Sequence, residues 1–212
     1  MLPIHHLKTA PLVLDETLLL ARGGVRAVYR HPAEADKCLK IVFNQQRRRS
    51  VRREITYLKK YHRRHGPLDY LPGFYGFCST NLGRAAIFEL IRDVDGQVSR
   101  SLAEFVAGRV TPGLGAGQIV ELLAELHQRL LADQVIACDP APPNLLVQYR
   151  DAHRPRLVLA DGIGNPHFIK IADFSKYYAD KLINKKWRVH VAENRTLRAI
   201  FAQAAAQGPL AP

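Results

Sequence analysis

Asp139 and Asn144 are the two residues of this chain whose types and spacing are best suited to chemistry. They bracket Pro140-Ala141-Pro142-Pro143 and are followed by the apolar run Leu145-Leu146-Val147. A carboxylate and a carboxamide at the two ends of a tight turn can face different ways. The Asp can face a substrate hydroxyl, while the Asn can face a metal ion on nucleotide phosphates. Prolines set the turn between them, and the apolar run predicts a buried strand that anchors it. Phosphoryl transfer asks for this layout: a positioned nucleophile, divalent metal and positive charge, with little covalent chemistry from the protein. The bland alternative is an Asx-type turn, a frequent use of Asp, Asn and Pro.

Other residues fall in the order such a site needs. Lys40 lies within Cys38-Leu39-Lys40-Ile41-Val42-Phe43, a strand-like run. A lysine there costs free energy unless it is paired or reaches water. Either its ammonium meets nucleotide phosphates, or the strand is an edge strand with its lysine in solvent. Glu54 borders the stripe Val51, Ile55, Leu58 of a predicted helix and is the lone acid among Arg47, Arg48, Arg49, Arg52, Arg53, Lys59, Lys60, Arg63 and Arg64. On that face it can clamp Lys40; the alternative is an ordinary helix salt bridge worth a few tenths of a kcal/mol. Gly23-Gly24 lets backbone approach phosphates, or simply makes a hairpin turn. Arg26 adds positive charge beside it. Asp161 ends an apolar strand and precedes Gly162 and Gly164; its carboxylate suits Mg²⁺. Asp173, in Ala172-Asp173-Phe174-Ser175, competes for that role. Asp161 is preferred because it follows the strand directly and closely follows Asn144.

The elements that must hold these residues change character along the chain. The first part reads as an extended segment over Leu12 to Leu20, a Gly turn, short strands including the Lys40 strand, a basic helix, and two strands near Gly73 to Cys78 and Ala85 to Ile91. Asp93-Val94-Asp95-Gly96 reads as a hinge. Beyond it, Ser101 and Glu104 suggest a capping box, and Ile119, Leu122, Leu123, Leu126, Leu130 and Leu131 form a helical stripe. The Asp139 loop, a strand over Arg156 to Ala160 and a helical remainder follow. The expected organisation is α+β, with a sheet-rich lobe over 1–92 and a helical lobe over 93–212.

Composition agrees with a folded chain. Of 212 residues, 47% are apolar and 24% charged, and the net charge is +12. A core is therefore expected, as are anionic partners such as nucleotides, nucleic acid, anionic lipid or an acidic protein. The basic run over 47–64 is where an anionic membrane surface or acidic partner would be met. Cys38, Cys78 and Cys138 form neither a CxxC pair nor a disulfide framework, which suits a reducing cytoplasm. Neither a signal peptide nor a membrane span is expected.

Taken together, Lys40, Glu54, Phe88-Glu89-Leu90, Leu126-His127, Asp139-x4-Asn144 and Asp161-Gly162 resemble a minimal protein-kinase-like two-lobe fold. More narrowly the chain resembles the bacterial YrbL family of PhoP regulatory network proteins. The resembling segments are 23–32, 38–42, 52–54, 142–147, 161–164 and 185–188. The resemblance implies ATP and Mg²⁺ as cofactors, a hydroxyl-bearing acceptor and adenine against the backbone from Glu89 to Ile91. It assigns Asp139, Lys40 and Glu54 to catalysis, Gly23, Gly24, Arg26 and Lys40 to the nucleotide, and Asn144 and Asp161 to metal. Departures are plain. Ala137 and Cys138 stand where protein kinases carry His and Arg, and Ala141 where they carry a phosphate-contacting lysine. Gly162 replaces the Phe of Asp-Phe-Gly, and no Ala-Pro-Glu anchor follows. Loss of that phosphate-contacting lysine implies lower turnover, or another base such as Arg26 or Lys170 in its place. A nucleotide-binding pseudokinase and a basic nucleic-acid-binding module are the rival readings.

Overall fold

Strand register does most of the positioning in the first part of the chain. A computed structural model describes residues 10–24, 26–43, 48–151, 154–165 and 175–207. Its first sheet has five antiparallel strands, β1 (Leu19–Arg22), β2 (Arg26–Arg30), β3 (Lys37–Val42), β4 (Phe74–Thr80) and β5 (Gly83–Glu89), in the order β1-β2-β3-β5-β4. Successive side chains point to opposite faces. Ala27, Tyr29, Leu39, Ile41 and Ala85 therefore share one face and form a core with Leu14. Each large side chain so buried contributes on the order of 1.5–3 kcal/mol. Val28 is opposite Lys40, which is opposite Ala86, and Arg26 is opposite Val42. Arg26, Cys38, Lys40, Ala86 and Phe88 thus lie on the other face.

The stretch expected to be extended over Leu12 to Leu20 is only partly so. Leu12 bridges Thr80, but Glu16–Leu18 is a 3₁₀ turn. Asp15 is the reason: its carboxylate accepts the Thr17 N–H at 2.8 Å. A short polar side chain of this kind offers the backbone an alternative to strand pairing.

Helices dominate the later part. They are α1 (Arg48–His65), α2 (Leu102–Val106), α3 (Ala116–Ala132), α4 (Lys176–Trp187) and α5 (Arg195–Gln207). A small antiparallel sheet joins them, β6 (Arg100–Ser101), β7 (Leu145–Tyr149) and β8 (Pro155–Leu159) in that order. The expected capping box is present: Glu104 accepts from both the N–H and the hydroxyl of Ser101, each at 2.9 Å. The α3 stripe buries Ile119, Leu122, Leu123, Leu126 and Leu130. Asp69 ties α3 to β8 by accepting from both Arg129 and Arg156. The chain is thus mixed α+β, sheet-rich first and helical later.

By packing, it divides into two units. One holds the described residues up to Arg49 with Gly73–Leu90, and the other holds Ser50–Pro72 with the described residues from Ile91 on. The change of unit after Leu90 falls close to the expected boundary at 92, but α1 from Ser50 onward groups with the second unit. Its inward face explains this, because Tyr61 Oη accepts the buried Ile136 N–H at 3.0 Å. Among the described residues no helix is long and apolar enough to cross a membrane.

Candidate functional site

In the second unit, two stretches of irregular backbone are laced together. Ala141 is extended, as a residue before proline should be, and Pro142–Asn144 makes one 3₁₀ turn closed by Asn144 N–H to the Ala141 carbonyl at 2.8 Å. The Asn144 side-chain amide then donates to the Asp139 carbonyl at 2.9 Å. This clasp brings the two ends of Asp-x4-Asn together.

Asp161 is brought to the same place from both sides. The N–H of Ala160, just before it, donates to the Asn144 carbonyl at 2.9 Å. The carbonyl of Gly162, just after it, accepts the Cys138 N–H at 2.7 Å and the Asp139 N–H at 3.4 Å. A bridge between Ala137 and Ile163 and a bond from Gly164 N–H to the Ile136 carbonyl at 2.7 Å extend the lacing. Asp139, Asn144 and Asp161 are therefore neighbours across one backbone network. Asp173 and Lys170 lie outside the described residues.

Two glycines allow this approach. Gly162 has φ +77°, and a Cβ there would lie 2.8 Å from the Asp139 carbonyl oxygen. Gly164 has φ +111°, and a Cβ there would lie 2.7 Å from the Tyr57 ring. L side chains are disfavoured at such φ values, and here they would also collide.

Helix α1 backs the network. Glu54, Tyr57, Leu58 and Tyr61 are all buried, so the inward face extends beyond the stripe Val51, Ile55, Leu58. Glu54 is only 2% exposed, unlike a solvated helix salt bridge. It is close enough to the loop for its charge to act on Cys138. Burial pushes that thiol up, Arg53 opposes the rise, Asp139 adds to it, Lys186 opposes it and Glu54 adds to it.

In the first unit, Lys40 is on the middle strand and 7% exposed, which removes the edge-strand reading. Its ammonium sits 4.2 Å from the centre of the Phe88 ring, a cation–π contact. Arg26 is on the same face one strand away. Gly23 and Gly24 form the exposed turn between β1 and β2, where Gly23 N–H donates to the Arg26 carbonyl at 2.9 Å. A Cβ on Gly24 would meet nothing within 4 Å, so the turn itself does not demand glycine there. Along the backbone expected to meet adenine, Glu89 N–H donates to the Gly73 carbonyl at 2.9 Å, Leu90 N–H to the Asp36 carbonyl at 2.8 Å, and the Ile91 carbonyl accepts from Ser99 N–H at 3.1 Å. The Cys38 thiol, a weak donor, lies 3.6 Å from the Glu89 carbonyl.

The residues suit a metal carried in on phosphates. Asn144 donates through its nitrogen and so keeps a hard carbonyl oxygen, and Asp161 supplies a carboxylate. Mg²⁺ is ordinarily held by one or two such groups plus substrate phosphates. Among the described residues no three His, Cys, Asp or Glu side chains gather as a protein-only metal site.

A family model described as PhoP regulatory network protein YrbL matches residues 12–194. The chain belongs to this YrbL family. It is 28% identical over 182 residues to the uncharacterized protein YrbL of Escherichia coli (strain K12), covering 85% of this chain and 86% of that protein. The uncharacterized protein YrbL of Shigella flexneri matches with the same identity and coverage. The matched region of this YrbL-family chain includes both halves of the laced network and runs past His190.

His190 is the residue that sequence reasoning missed. Its Nδ1 lies 3.0 Å from Asp139 Oδ1. It belongs to a π turn, Arg188–Ala192, that continues α4. One lone histidine in a basic helical tail offers no periodic signal, and π turns have no sequence signature comparable to a cap.

Proposed function

We propose that this YrbL-family chain has a protein-kinase-like fold and is an ATP- and Mg²⁺-dependent phosphotransferase acting on a hydroxyl acceptor. The observation that carries the reading is the convergence of Asp139, Asn144 and Asp161 on one laced backbone network. Asp139 takes the proton as the acceptor oxygen bonds to the γ phosphorus and the bond to the ADP oxygen breaks. Asn144 and Asp161 would hold Mg²⁺, which would neutralise charge on the phosphates. Lys40 and Arg26 face the phosphates from the sheet, with Gly23 and Gly24 letting backbone come close. Glu54 is assigned, as the kinase-like resemblance implies, to hold the Lys40 ammonium. The backbone from Glu89 to Ile91 receives adenine.

A nucleotide-binding protein with little turnover is the second reading. Ala141 favours it, standing where protein kinases use a lysine. The PhoP network in the family's name suits a regulatory role under either reading. The basic face of α1, with Arg52, Lys59, Arg63 and Arg64 exposed, reads first as a solvated surface.

The test is ATP binding with and without Mg²⁺, followed by turnover, in the intact chain, Asp161→Ala and Asp139→Ala. The expected result is that Asp161→Ala loses metal-dependent binding. Asp139→Ala should keep binding while turnover falls by about 10²-fold or more. Binding without turnover in the intact chain selects the second reading. Failure to bind nucleotide, with salt-sensitive affinity for DNA or RNA, overturns both.

A further inference from the structure

We infer that His190 is a positioning residue for Asp139: it holds one carboxylate oxygen so that the other faces the acceptor hydroxyl. The inference rests on the phosphotransfer reading and adds to it a residue from the C-terminal part of the chain.

The geometry is specific. His190 Nδ1 and Asp139 Oδ1 are 3.0 Å apart. An ionised carboxylate only accepts hydrogen bonds, so Nδ1 carries the proton and the ring donates. This ties down Oδ1 and leaves Oδ2 as the oxygen for the acceptor. Asp139 is 47% exposed on its side chain and His190 27%, so the pair sits at the surface of the second unit, where an acceptor can enter.

The segment that delivers the ring is held on both sides. Trp187, just before the π turn, stacks on His127 with ring centres 4.6 Å apart and planes 6° from parallel. Val191, directly after His190, is 1% exposed. Between these anchors the helix widens by one residue, as the bond from Glu193 N–H to the Arg188 carbonyl at 2.8 Å records. Such a turn costs regular hydrogen bonding, and π turns within helices concentrate at functional sites. Here the widened turn carries the ring that reaches the catalytic-loop carboxylate.

Among the described residues, the polar partner of the Asp139 carboxylate is His190. The Asp139 main chain is fixed by Gly162 and Asn144, but its carboxylate orientation is set by His190. A base turned away by a fraction of an ångström loses its advantage, and misplacement of about 1 Å can cost about 10²-fold.

The experiment is steady-state turnover of MgATP, with water as the acceptor, for the intact chain, His190→Ala and His190→Asn. An Asn amide can donate from nearly the position of Nδ1. We expect His190→Ala to lower kcat by about tenfold to a hundredfold while KM for ATP stays within about twofold, and His190→Asn to recover most of the loss. A merely structural role predicts no such split and no rescue by a small polar side chain. Turnover in the intact chain with His190→Ala unchanged overturns this inference and leaves the phosphotransfer reading standing. Equal losses in His190→Ala and His190→Asn also overturn it. Absence of Mg²⁺-dependent turnover in the intact chain overturns the phosphotransfer reading and the inference with it.

Discussion

The Lys40 sheet and the Asp139 network place their candidate residues by opposite means. In the sheet, register alone decides: Arg26 and Lys40 share a face because each has an antiparallel partner and side chains alternate. The turn beside them, Gly23-Gly24, is open, and an added Cβ on Gly24 meets nothing. In the network no regular element spans the site. Four main-chain hydrogen bonds between 136–144 and 160–164 and the Asn144 side-chain clasp on the Asp139 carbonyl, with two glycines at positive φ, bring Asp139, Asn144 and Asp161 together. Regular structure places side chains redundantly, whereas laced loops depend on a few atoms. The second region should therefore be far more sensitive to small changes than the first.

The glycines give the widest contrast. Gly162→Ala sets a Cβ against the Asp139 carbonyl at 2.8 Å and forces a non-glycine residue to φ +77°. It should cost about 2 kcal/mol or more in unfolding free energy and abolish turnover. Gly24→Ala should change stability by less than about 0.5 kcal/mol, while weakening nucleotide affinity if backbone there meets phosphates. Denaturant unfolding and nucleotide titration of both variants check this, and equal stability losses would break the comparison.

Next in size is Tyr61→Phe. It strands the buried Ile136 N–H, now bonded at 3.0 Å, and should cost about 1–3 kcal/mol by denaturant unfolding. No loss would mean that α1 does not brace the network.

A third test concerns the proposed charge pair. Lys40→Met and Glu54→Gln, alone and together, should show a coupling energy of about 0.5–3 kcal/mol. Additive effects would separate the two regions energetically and remove the clamp from the account.

Much of the sheet was legible in the sequence because strand alternation is a local, period-two signal. The Lys40 strand, the α3 stripe and the Ser101–Glu104 capping box are all of this local kind. The 3₁₀ turn at Glu16–Leu18 hangs on the Asp15 carboxylate, a single cap that the apolar residues on either side of it mask. In the network, sequence spacing singled out Asp139, Asn144 and Asp161 as residue types, but not the ties between them. Those ties run through main-chain atoms, which every residue shares, so no side-chain pattern announces them. Gly162 and Gly164 were visible as glycines, yet the Asp139 carbonyl and Tyr57 ring that require them lie far off in sequence. His190 was invisible for the same reason, as its partner is remote and its turn irregular.

The smallest expected effect is a pH dependence carried by the second region. Burial holds the His127 imidazole below its ordinary value, and a hydrogen bond with Asn184 partly opposes this. The unfolded chain therefore takes up a proton before the folded chain does. The stabilisation is present above the unfolded value of about 6.5 and is lost as pH falls below it toward the folded value. Thermal unfolding between about pH 7.5 and 5.5 should show a steeper acid loss for the intact chain than for His127→Gln. Parallel profiles would mean that the stack on Trp187 tolerates the charged ring.

The central claim is that nucleotide-borne metal meets the Asp139 network. Line broadening of assigned backbone amides by Mn²⁺–ATP tests it most directly. The account predicts the strongest broadening at Asn144, Asp161 and Gly162, with Gly23 and Gly24 also affected, and its loss in Asp161→Ala. Broadening confined to the basic face of α1 around Arg52, Lys59 and Arg63, with the network unaffected, would contradict it.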